Sequence, residues 1–154
     1  IIRADSQDLR ENLTECMKLK DPLDQILEMA RRYATWGITH PNHYHLMLVP
    51  PPAWAEQYQA LREDEHPPLE QQMLFMLTSS VEESIRRGLF KEKYTDPALV
   101  AATLWAGIHG IVVLEITMMP RDRASLGGEK TSFEARFETF EEVLLDGLLK
   151  IRTG

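Results

Sequence analysis

Apolar residues recur along this chain at three- and four-residue intervals, and alternation at every second position is nearly absent. That spacing predicts α-helices throughout. Leu9, Leu13, Cys16 and Met17 share one side of a helix over residues 6–20. Asp21-Pro22 breaks it and starts the next, in which Leu23, Ile26, Leu27, Ala30, Ala34 and Ile38 form a stripe ending at His40-Pro41. A short helix over residues 41–49 carries His43, Tyr44, Met47 and Leu48, and Pro50-Pro51-Pro52 stops it. Residues 53–68 read as a polar, acidic excursion from the core with a short helix over 54–62. Leu69, Met73, Met76, Leu77, Val81 and Ile85 mark a long helix with Gly88 as its C-terminal cap.

Residues 96–119 depart from this amphipathic pattern. Thr95 or Asp96 suits the N-cap and Pro97 the first helical position, where a missing N–H costs nothing. Beyond them the segment is apolar on nearly every face, with His109 and Glu115 as its ionisable residues. A helix of that kind must be covered on more than one side, by the chain's own core and by a partner subunit. Gly107, His109, Gly110 and Glu115 interrupt the run, whose longest uncharged part falls short of the ~20 apolar residues that cross a membrane. A loop over residues 120–130 follows. Thr131-x-x-Glu134 is a capping box that opens a final helix with Phe133, Phe137, Phe140, Leu144, Leu148 and Ile151 on one face. Ala102, Ala106 and Gly110, four residues apart, form a groove that another helix can approach closely. Phe137, Phe140, Leu144 and Leu148 offer the apolar surface to fill such a groove. The expectation is a single all-α domain over residues 1–154, an antiparallel bundle of about six helices that pairs as a homodimer.

Composition narrows the functional classes. A net charge of −7, with basic residues scattered, works against nucleic-acid binding by this chain, because phosphate contacts need clustered Lys and Arg. One cysteine, Cys16, excludes an internal disulfide framework and fits a reducing cytoplasm. No targeting or lipidation motif is evident. Nucleotide-binding, metalloprotease and nucleophile-elbow motifs are absent, so neither a cofactor nor catalysis is expected.

Three groups of residues carry candidate chemistry. His40, His43 and His45 are close in sequence, and with His109 and Glu115 they give the alternative of a small all-α metal-binding protein or enzyme. Spacings of three and two, with Pro41 between, fit metal ligation on one helix face poorly, so no metal is expected. Glu115 on so apolar a helix calls for an ion-pair partner or a polar cavity. Trp105 and His109 stack on one helix face. Turned into the subunit, that face meets Met73, Met76 and Leu77, with Tyr44 and Met47 beside them. Flexible apolar walls with an imidazole and a phenol make a small-molecule site for a mainly apolar ligand.

Trp105, His109 and Gly110 within LWAGIHGIVVLEI, the segment YATWGITHPNHYHLML and the ending FEARFETFEEVLLDGLL, in this order, resemble the C-terminal ligand-binding and dimerisation domain of tetracycline-repressor-type regulators. The resemblance is to the subgroup with a Trp-His-Gly signature and spans residues 8–151. It implies a bacterial transcriptional regulator whose last two long helices form an intersubunit four-helix bundle. It also implies a small-molecule effector entering between the helices around Trp36 to Met47, Met73 to Leu77 and Trp105 to Val112. Operator DNA would be bound through an N-terminal helix-turn-helix domain that these residues do not contain.

Overall fold

The computed structural model describes residues 2–49, 51–61, 67–118 and 132–150, and among these it is helical. The helices are α1 (Ile2–Cys16), α2 (Pro22–Thr39), α3 (Pro41–Leu48), α4 (Ala55–Leu61), α5 (Leu69–Arg86), α6 (Pro97–Thr117) and α7 (Phe133–Leu148). A 3-10 turn, Pro52–Trp54, leads into α4.

Local chemistry sets most boundaries. Asp21 accepts a hydrogen bond from Leu23 N and Asp96 one from Leu99 N, each ahead of a proline in the first turn. Gly88, at φ +70, ends α5 in a Schellman motif: Gly88 N bonds Ile85 O and Leu89 N bonds Ser84 O. Two boundaries differ from expectation. The first helix stops at Cys16 rather than Lys20, because Met17, Lys18 and Leu19 bond back three residues in a tightening turn. Gln25 Nε2 then takes up the Met17 and Leu19 carbonyls, a partner from the next helix that no local pattern announces. On α7 the N-cap is Ser132, whose hydroxyl accepts from Ala135 N, one residue later than a Thr131–Glu134 box requires. The loop over residues 120–130, Thr131 and Ile151 lie outside the described residues.

The core is built on the α5–α6 contact, with α2 packed on both and α1 closing over α2 and α5. Leu9, Leu13, Met29, Tyr33, Met73, Leu77, Leu104 and Ile108 are buried there. α3 lies on α2, and α7 on α6. After α7 the chain pairs antiparallel with the stretch behind α5, Lys91 N donating to Leu148 O and Lys150 N to Leu89 O.

The sides of α6 are unlike. Ala101, Leu104, Ile108 and Val112 are buried, whereas Leu99, Ala102, Thr103, Ala106 and Leu114 are exposed. α6 has 21 residues, and an 18-residue stretch of it reaches a mean hydropathy of 1.9, enough by length and composition alone to cross a membrane. The expected interruptions lie within this continuous helix, and Glu115 among them is paired with Arg136 of α7. The inward side of α6 is occupied by α2, α5 and α7.

The stripe on α7 also faces differently from expectation. Phe137 and Leu148 are buried within the protomer, and Phe140 and Leu144 are half-buried against the same core. Phe140 lies on Gly107, where an added Cβ would sit 2.5 Å from its ring. Phe140 thus packs on the protomer's own α6, while Leu144 and Leu148 also line an open groove between α6 and α7. The close approach to α6 uses Gly107, while at Gly110 an added Cβ would meet nothing within 4 Å.

Candidate functional site

α2, α5 and α6 converge on a half-open void of about 30 Å³, to which α1 adds Leu13. Its walls are Leu13, Met29, Ala30, Tyr33, Met73, Leu74, Leu77, Trp105 and Ile108. The volume suits one or two water molecules. Met29 and Met73 are the unbranched, adaptable side chains of that wall.

A polar cluster stands at its edge. Tyr33 from α2, Tyr44 from α3 and His109 from α6 contact one another: the two hydroxyls are 2.8 Å apart, and His109 Nδ1 is 2.5 Å from Tyr44 and 3.2 Å from Tyr33. Two hydroxyl protons serve three contacts. The arrangement with Tyr33 donating to Tyr44, and Tyr44 to Nδ1, uses both and keeps the imidazole neutral. Burial favours the same state. It pushes the Tyr33 phenol up to about 12, moves Tyr44 upward as well, and lowers His109. The cluster is therefore uncharged at neutral pH.

Ring packing holds these groups. Tyr44 stacks on His109 at 5.5 Å and meets Tyr33 edge-on at 5.7 Å. Gly37 lets α2 approach so closely that an added Cβ would lie 2.6 Å from Val112 and 2.9 Å from the Tyr44 ring. Trp105 lies 5.6 Å from His109. Its buried Nε1 makes no hydrogen bond of good geometry, and its side-chain interaction with the Tyr33 hydroxyl opposes the effect of burial on that phenol.

Of the residues expected at a ligand site, Met73, Leu77 and Trp105 do line one void. Tyr44 and His109 reach its edge through Tyr33. Trp36, Met47, Met76 and Val112 are core residues around it rather than its walls, with Trp36 stacked on His40 at 5.1 Å. The expected set omits Tyr33, Met29, Leu74 and Ile108. Tyr33 sits one turn after Ala30 on the buried stripe of α2, so register alone marks it as inward-facing.

The histidine cluster does not converge. His43 Nδ1 pairs with Asp5 of α1 at 3.0 Å, and His40 bonds the Trp36 carbonyl. Among the described residues no group of three or more His, Cys, Asp or Glu is placed to hold a metal ion. Glu115 has its partner, in an ion pair with Arg136 of α7.

A family model described as "Tetracyclin repressor-like, C-terminal domain" matches residues 26–136 of this chain, which include both tyrosines, His109 and most of the void's walls. The match is to the family as a whole and does not single out a Trp-His-Gly subgroup. No curated protein and no solved structure matches the chain.

Proposed function

We infer the function from the premise that this chain belongs to the tetracycline repressor-like C-terminal domain family: it is the effector-binding and dimerisation part of a transcriptional regulator. A small, mainly apolar molecule enters the space between α2, α5 and α6 by displacing Met29 and Met73. Two copies pair through the outward face of α6 and the adjoining edge of α7. Operator DNA is bound by a separate N-terminal reader, and effector and DNA affinities are coupled reciprocally. The reading assigns no catalysis and no metal.

The observation that carries the proposal is the apolar void beside a neutral polar cluster, at the junction of three long helices. Pairing has separate support. Leu99 and Val143 are 65% and 64% exposed and flank a groove of about 250 Å³ between α6 and α7. Apolar side chains that open belong against another surface.

Thermal melting with a panel of small neutral apolar compounds tests the sensor reading. A true effector raises stability with the logarithm of its concentration, by about 2.7 kcal/mol at a hundred times its Kd. Met73→Trp, which fills the void, is expected to abolish that gain while sedimentation still shows a dimer. If no compound stabilises the wild type, or if Met73→Trp responds as the wild type does, the void is not the site.

A further inference from the structure

We propose that the effector carries a long, unbranched alkyl chain, which threads from the void between α2, α5 and α6 into a second void between α2, α6 and α7. This rests on the first void being the effector site, and adds the shape and chemical class of what fills it.

The second void, of about 20 Å³, is more enclosed and lies on the α7 side of the α2–α6 contact. Ile26 and Leu27 of α2, Leu104 of α6 and Leu145 of α7 are among its walls, with Phe90 from the stretch behind α5. Glu141 also borders it and is paired with Arg31 of α2 at 3.6 Å. The first void lies on the α5 side of the same contact, and the two share the wall residues Ala30 and Ile108. Protein cores are close-packed and hold few voids, so two that share a wall mark one interrupted passage. The partition is thin. Ala30 contributes only a methyl group, which leaves Ile108 as the large side chain between the two spaces. Walls on α2 run from Tyr33 in the first void to Leu23 in the second, about 15 Å of helix. An extended alkyl chain advances roughly 1.3 Å per carbon, so about ten carbons match most of that length. The lining selects the same class. Tyr33 and Trp105 interact with each other, and Glu141 with Arg31, so methylene groups enter without stripping a polar group of its partner. A compact ring of equal carbon number is too wide to lie on both sides of the Ala30–Ile108 partition. Leu104, Leu144 and Leu148 stand between the second void and the open α6–α7 groove, and so set the far limit of the chain.

Calorimetric titration of the purified chain with 1-hexanol, 1-decanol and cyclodecanol tests the passage. The added methylenes of 1-decanol leave water for the second void, so it is expected to bind about a hundredfold more tightly than 1-hexanol, and about tenfold more tightly than cyclodecanol. Leu27→Trp fills the second void from α2 and Leu145→Trp fills it from α7, both at half-buried positions outside the first void. In each variant the 1-decanol-to-1-hexanol ratio falls at least tenfold while 1-hexanol binds as it does to the wild type. A folding failure of one variant leaves the other decisive. A ratio unchanged by the substitutions, or equal binding of 1-decanol and cyclodecanol by the wild type, overturns the joined passage while leaving the first void as a binding site. Failure of all three alcohols to bind overturns both.

Discussion

On the inward side of α6, Ala101, Leu104, Ile108 and Val112 are buried against α2, α5 and α7. A rotation of about 100° away, Ala102, Ala106 and Gly110 run along the same helix in the open, flanked by Leu99, Thr103 and Leu114. Both faces are apolar, so hydrophobicity does not tell them apart. Size does. The inward positions carry mostly large branched side chains that fill a core, and the outward ones are mostly small. The inward face holds the protomer together and frames the void, while the outward face is the one that the proposed pairing sets against a neighbouring helix. Folding and pairing should therefore be separable by substitutions only a few residues apart.

The sharpest break is Leu104→Ala. Leu104 is 2% exposed, and truncation should cost the protomer about 2–5 kcal/mol in chemical denaturation. Ala106→Glu tests the opposite face. It should leave the isolated protomer folded but set a charge into the paired surface, weakening dimerisation by about 3 kcal/mol, over a hundredfold in Kd by sedimentation. A wild-type monomer at micromolar concentration would remove the outward face from the comparison. Leu99→Ala should weaken pairing by only about 1 kcal/mol and change protomer stability by less, the reverse of Leu104→Ala.

The smallest effect concerns acid. Burial lowers His109, so the unfolded chain binds its proton at a higher pH than the folded one. Stability from this residue is complete above the ordinary histidine range and falls as pH drops through that range towards the depressed folded value. Between pH 7 and 5, His109→Gln should show a shallower fall in melting temperature than the wild type. Parallel curves would mean that the imidazole is not held neutral in the fold.

Elements with local signals were readable in the sequence. Asp21-Pro22, Asp96-Pro97 and Gly88 carry their own cap chemistry, and α2, α5 and α6 follow from them. Where the deciding partner is remote, the sequence is silent. The end of α1 depends on Gln25, in the next helix. Which side of α6 is approached within the protomer depends on where Phe140 lands, and it lands on Gly107 rather than on the regular Ala102–Ala106–Gly110 strip. The site divides likewise. Trp105, Met73 and Leu77 were legible from periodicity, whereas the bond of Tyr33 to Tyr44 and its contact with His109 join residues 11 and 76 positions apart.

Gly37 has a mechanical consequence. There, α2 and α6 meet with no room for one methyl group, while seven residues earlier on α2, at Ala30, the same pair of helices borders the open volume beside Met29 and Met73. Compression acts where empty volume remains. Under hydrostatic pressure the α2–α6 seam should yield at its Ala30 end and stay fixed at Gly37, which makes the glycine the incompressible pivot of the two helices.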